Sequence, residues 1–326
     1  MVLSLTAIRL WLARYGMSLT LSFGLLGNML NILMFVRKER IQNSCMWYLL
    51  TGFIINIVII SWGVVPSLYT LDYPNPATYS FLYCKLRHYM LHTVLMLGRS
   101  MTVLACFDRF ALCTNLRQFH FINNVRVAKR LIISVLIMWP LLNIHLPINY
   151  HFTGNACTMV QSYRFFWAIY SVVVPGLLMP ILMGVFGILA VLHRRKLQTR
   201  LNEERKGVRK RDYTLMMMLF AEVSVYIIST SPFPAFTLYQ ALSEGQMKTI
   251  DRQQIEAFVG FLATSFLIYI NPSAGFYIYI LASRSYRMEL KCAFVRLSMR
   301  CTGRTTQVVP GTMMNEVTIQ QRTAYF

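Results

Sequence analysis

The chain has 326 residues, 56% of them hydrophobic and only 13% charged, with 32 lysines and arginines against 12 acidic residues for a formal charge of +20. So little charge excludes a disordered chain, and long apolar runs exclude a soluble nucleic-acid binder despite the basic balance. Seven scattered cysteines without a C-x-x-C pair exclude a disulfide scaffold and a zinc module, and no metal or cofactor is expected.

A helix crossing a bilayer needs about 20 mostly apolar residues, because its backbone groups must bond within the segment. Seven stretches qualify, at roughly 15–36, 46–70, 85–109, 127–146, 165–192, 213–240 and 254–282. The expected fold is all-α, a seven-helix transmembrane bundle over 15–282, with a short extracellular N-terminus over 1–14 and a cytoplasmic amphipathic helix and tail over 283–326. Seven spans put the termini on opposite sides. With the N-terminus outside, cytosolic segments carry 24 basic and 7 acidic residues and extracellular segments 7 and 4, so the positive-inside rule fixes this direction. The basic excess is then an orientation signal, and nucleic acid is not an expected partner.

Taken in chain order, each span carries a few residues that lipid would not tolerate. Asn28, after Gly27 in the first span, should face the bundle interior. The third span starts near Cys84 and ends in Asp108-Arg109-Phe110, with 25 residues from cysteine to arginine. The fourth holds Trp139, and the loop after it Cys157. Pro232 lies in the sixth; the seventh ends in Asn271-Pro272 and Phe276-Tyr277-Ile278-Tyr279.

In the order and spacing of these residues the chain resembles the rhodopsin-like (class A) G-protein-coupled receptors over nearly its whole length. Within them it looks like invertebrate receptors grouped with FMRFamide-like neuropeptide and orphan receptors. The resemblance implies a Cys84–Cys157 disulfide, a G-protein-coupling end at Asp108, Arg109 and Phe110 with Asp212 as a lock for Arg109, and no enzymatic activity. An amine ligand is not expected, since the position seven residues after Cys84 is Leu91; nor is retinal, since the seventh span has no lysine. Departures are several. Asn56 stands where the family usually has an aspartate, Thr230 where it has a tryptophan before Pro232, and Gly275-Phe276 replace Asn-Pro ahead of Tyr279.

Two charges lie deep in spans. Arg99 is ten residues before Arg109, and Glu222 ten after Asp212. At 1.5 Å per residue both lie about 15 Å above the inner end. A direct Arg99–Glu222 pair is one expectation; the other has Arg99 bonded to Asn56, Asn271 or water beside a protonated Glu222. Asn28, Asn56, Pro232, Asn271 and Tyr279 complete an expected intramembrane switch. The expected ligand-pocket lining is His88, His92, Phe233, Phe236, Thr237, Phe261, Ser265 and Tyr269, the histidines serving either as contacts or as satisfied packing groups. Cys301 is the lipidation candidate, with Cys292 the alternative. Expected partners are a heterotrimeric G protein, arrestin and a receptor kinase, membrane lipids, and an extracellular peptide or small molecule. The competing reading is a seven-span transporter or channel. Against it, seven spans do not divide into equal inverted halves.

Overall fold

The computed structural model describes residues 2–36, 43–114, 122–153, 156–198 and 206–301; the side chains of 2–4, 153, 194–198, 206–214, 294 and 296–301 fall outside that description. Among the described residues seven helices are long and apolar enough to cross a membrane: α1 Leu5–Phe35, α2 Ser44–Asp72, α3 Phe81–Cys113, α4 Val125–Asn149, α5 Gln161–His193, α6 Leu215–Leu242 and α7 Ile250–Ala282. An eighth, α8 Arg284–Cys301, follows α7 after Ser283. Helix begins ahead of the span expected from residue 15: it runs from Val2 and continues through a π turn at Leu12–Gly16. Arg9 and Arg14 depress the hydropathy there, yet Arg14 is satisfied at the membrane edge by Asp72 at the end of α2.

Sequence signals explain most of the helix boundaries. Asn43, Ser80, Asn124 and Thr249 cap α2, α3, α4 and α7, each accepting a backbone N–H of the first turn. Pro175 lies in a π segment, Val172–Leu178, inside α5, and α6 is interrupted at Ser231, directly before Pro232. Proline removes a backbone donor, so both are natural bends. Tyr226 of α6 donates its hydroxyl to the Pro175 carbonyl at 2.9 Å, which ties the two irregular helices together.

Large apolar side chains such as Phe23, Leu33, Ile54, Ile137, Phe165, Ile188 and Ile228 are exposed on the outside of the bundle, the face a bilayer would cover. Inside, buried amides and hydroxyls bond across helices. Asn28 donates to the Pro272 carbonyl at 2.9 Å and accepts from Asn56 at 3.4 Å, and the Trp139 indole donates to Ser100 at 2.7 Å. Small residues let backbones approach. A Cβ on Gly24 would meet Ser273 Oγ at 2.6 Å and Ile60 Cδ1 at 2.7 Å, and one on Gly63 would land within the buried Tyr269 ring. Gly63→Ala is therefore expected to destabilise the bundle by about 1–3 kcal/mol, since a fixed aromatic has nowhere to go; thermal unfolding of the membrane-reconstituted protein checks it.

One feature lies outside the all-helical expectation. Between α4 and α5, β1 Tyr150–Thr153 and β2 Ala156–Met159 form an antiparallel hairpin pairing Tyr150 with Met159 and Phe152 with Cys157. Cys157 is bonded to Cys84 at the start of α3, so the hairpin is pinned across one end of the bundle. At the other end α8 is anchored by Tyr286, whose buried hydroxyl donates to Asn31 at 2.7 Å, while Arg287 donates to the last carbonyls of α7.

Candidate functional site

Below the hairpin a cavity of about 600 Å³ opens between α3, α5, α6 and α7. This is ample for a drug-sized ligand. His88, His92, Phe233, Thr237, Ser265 and Tyr269 line it, so six of the eight residues chosen from sequence meet there. The other two are corrections. Phe236 is buried against Gly260 of α7, and Phe261 stacks on Phe266 with centroids 6.3 Å apart; neither reaches the cavity wall.

The hairpin forms part of the lining through Tyr150 and Met159. The Tyr150 ring stacks on His88 at 4.4 Å and 8°, and burial pushes its hydroxyl above the usual phenol range, so it stays neutral. His92 touches the cavity but is also bound into a polar chain. Its Nε2 lies 3.2 Å from the Tyr170 hydroxyl, which donates to Asn143 at 3.3 Å, and Asn143 donates to Thr93 at 3.1 Å. Four charged residues in the wall, Arg87, Arg164, Glu244 and Lys248, were not among those chosen from sequence. Each lies within a few turns of a span end, where a charge reads as topology.

Midway through the bundle is a smaller cavity of about 30 Å³, room for one or two waters. Arg99, Glu222, Asn56, Asn271, Tyr226 and Thr230 are among its walls. The shared depth of Arg99 and Glu222 holds; the direct ion pair does not. Glu222 accepts a hydrogen bond from the Tyr279 hydroxyl at 2.6 Å. Arg99 lies over the Tyr226 ring, 5.5 Å from its centroid, and donates to Met96 Sδ at 3.4 Å. Both charged side chains face the cavity, but two tyrosines take up the charges, because each side chain reaches a tyrosine rather than the other charge. The buried Oδ1 of Asn271 has no protein partner among the described residues.

Toward α8, Asp108 is fully buried and Arg109 almost so. Arg109 donates to Asp108 at 2.6 and 3.2 Å and to Asn43 at 2.8 Å, while Ser44 donates a short bond to Asp108. The start of α2 and the end of α3 are thereby joined. Phe110 packs on Phe186 and His193 of α5. Asp212 is in the helix leading into α6, and Cys301 ends α8; both side chains lie outside the described residues. Cys292 is exposed.

A seven-helix bundle with a disulfide-pinned hairpin over one cavity and a buried acid–arginine cluster at the opposite end matches the family model "7 transmembrane receptor (rhodopsin family)" over residues 27–279. The chain belongs to that family. No curated protein matches it. Members are receptors rather than enzymes, so this is a multi-pass membrane receptor that signals through G proteins.

Within the receptor the central layer departs from what a monovalent cation needs. Asn56 is neutral and committed through its Nδ2 to Asn28, Arg99 puts a positive charge on the same cavity, and the carboxyl group there, Glu222, already accepts from Tyr279. A second cation there would face repulsion in a low-dielectric setting. Replacing sodium by N-methylglucamine at constant ionic strength is expected to leave agonist affinity within about twofold, less than 0.5 kcal/mol; a clear sodium-dependent shift in a competition curve would refute it.

Proposed function

We propose that the receptor sits in the plasma membrane with its N-terminus outside, binds a short neuropeptide in the cavity beneath the hairpin, and passes the signal to a heterotrimeric G protein at the end where Arg109 lies. The observation that carries this reading is the vertical order of three layers. A ligand-sized cavity lies above a polar layer containing Arg99, Glu222 and Tyr279, and that layer lies above the Asp108–Arg109 cluster. A ligand acts only by favouring one arrangement of such layers over another. The basic residues facing the cytosol suit both anionic lipid and the G-protein surface, and arrestin and a receptor kinase would meet the same face. Cys301 is the proposed lipid-anchoring residue, with Cys292 exposed on the same helix.

The test is a neuropeptide library applied to cells expressing the receptor with a set of G-protein α-subunits, read as nucleotide exchange. Peptide-dependent exchange, lost in Arg109→Ala at matched surface level, supports the reading. A membrane current or solute flux without exchange would favour the transporter or channel reading.

A further inference from the structure

Arg87 is the unexplained charge in the large cavity. Among the described residues the wall holds three cations, Arg87, Arg164 and Lys248, against one carboxylate, Glu244. Glu244 is taken by Arg164 at 2.6 Å, and Lys248 is taken by Glu256 at 2.6 Å. Arg87 has no carboxylate within ion-pair distance among the described residues. Its partners are neutral, with Nη1 donating to Tyr83 at 2.8 Å, Nη2 to Ser67 at 3.3 Å, and the guanidinium 5.7 Å from the Tyr83 ring centroid. These two bonds, one from a turn earlier on α3 and one from α2, hold the guanidinium while leaving other N–H donors unused.

We infer that Arg87 is an oxyanion-binding residue, and that the receptor's ligand presents a carboxylate or phosphate to it while an apolar body reaches toward α5 and α6. The inference rests on the reading of this cavity as the ligand site and names its ligand's chemistry. A guanidinium recognises such groups through paired N–H donors, and the pairing is stronger than with a neutral acceptor. Leu91, Leu95, Trp167, Phe233 and Ile268 supply the apolar wall. A peptide with an amidated end would give the fork no charge to pair, so a peptide ligand would use a free C-terminus or an acidic side chain.

The experiment uses the full-length receptor in lipid nanodiscs and three probes on one apolar body: N-benzoylphenylalanine, its primary amide, and N-benzoylphenylalaninol phosphate. Binding is measured by ligand-observed magnetic resonance and thermal shift. At least one acidic probe is expected to bind about tenfold or more tightly than the amide, equivalent to about 1.4 kcal/mol. Arg87→Gln should erase that preference and Arg87→Lys retain part of it. Whichever acid binds more tightly identifies carboxylate or phosphate as the recognised group. Acids no better than the amide on the wild-type receptor, including no binding by any probe, overturn the inference, as does a preference that survives Arg87→Gln. If Arg87→Gln fails to fold, the wild-type comparison and Arg87→Lys decide. Arg87-dependent acid binding that never promotes nucleotide exchange would leave this site standing and sink the receptor-coupling reading instead.

Discussion

Arg99→Met is expected to leave the receptor within about 1 kcal/mol of wild-type stability, far from the roughly 3–5 kcal/mol lost when one partner of a buried ion pair is removed. The reason is that Glu222 does not depend on Arg99. Its hydrogen bond comes from Tyr279 at 2.6 Å, and Arg99 is held over the Tyr226 ring. Methionine fills much of the arginine stem's volume, and removing an unpaired buried charge removes a desolvation cost. Glu222→Ala is different, because it orphans the buried Tyr279 hydroxyl and should cost about 1–3 kcal/mol. Double-mutant cycles on thermal unfolding separate the two arrangements. The Glu222→Gln/Tyr279→Phe cycle should show the larger coupling, and the Arg99→Met/Glu222→Gln cycle the smaller. Exchanging the charges, Arg99→Glu with Glu222→Arg, should not restore expression, since it places arginine against the Tyr279 hydroxyl. Rescue by that exchange would re-establish the direct pair.

Arg99 and Glu222 mark the limit of what sequence specifies. Counting residues from Arg109 and Asp212 places Arg99 and Glu222 at one depth because helical rise is nearly constant. Both side chains line the same small cavity, so what counting along two helices cannot supply is which neighbour each one reaches: Tyr279 bonds Glu222, and the Tyr226 ring lies under Arg99. The same limit applies to Phe236 and Phe261, which pack against Gly260 and Phe266 instead of lining the cavity. Spans were legible from apolar run length alone, and Asn28 from the cost of an amide in lipid. Cys84 and Cys157 could be joined only through the family resemblance, as nothing local marks that hairpin. The cavity's charges are hidden in the sequence for a different reason. Arg87, Arg164 and Lys248 sit near span ends, where the positive-inside count absorbs every cation, and only geometry shows which of them has a carboxylate to hold.

Asp108→Asn is expected to raise basal nucleotide exchange several-fold while lowering stability, the two effects having one origin. Asp108 is wholly enclosed, and its carboxylate holds Arg109 by two hydrogen bonds and Ser44 by a third. An amide keeps an acceptor for Arg109 but forfeits the charge, so the charge-assisted bonds weaken by roughly half. Arg109 is itself buried, and any partner that meets it must first draw it out of the Asp108 and Asn43 bonds. Weakening that hold lowers the cost of the exposed arrangement in the absence of ligand, which is a population shift. Asn43→Ala should act in the same direction with a smaller rise, because it removes one hydrogen bond to Arg109, and should also cost about 1 kcal/mol through loss of the cap on α2. Arg109→Ala has the opposite signalling outcome. It strands the Asp108 carboxylate with Ser44, costs about 3–5 kcal/mol, and abolishes exchange even where surface staining matches wild type. The order to be checked in one exchange assay is thus Asp108→Asn above Asn43→Ala above wild type, with Arg109→Ala silent. A silent Asp108→Asn at normal surface level would mean that Asp108 does not restrain Arg109, and that the acid serves only to fasten α2 to α3.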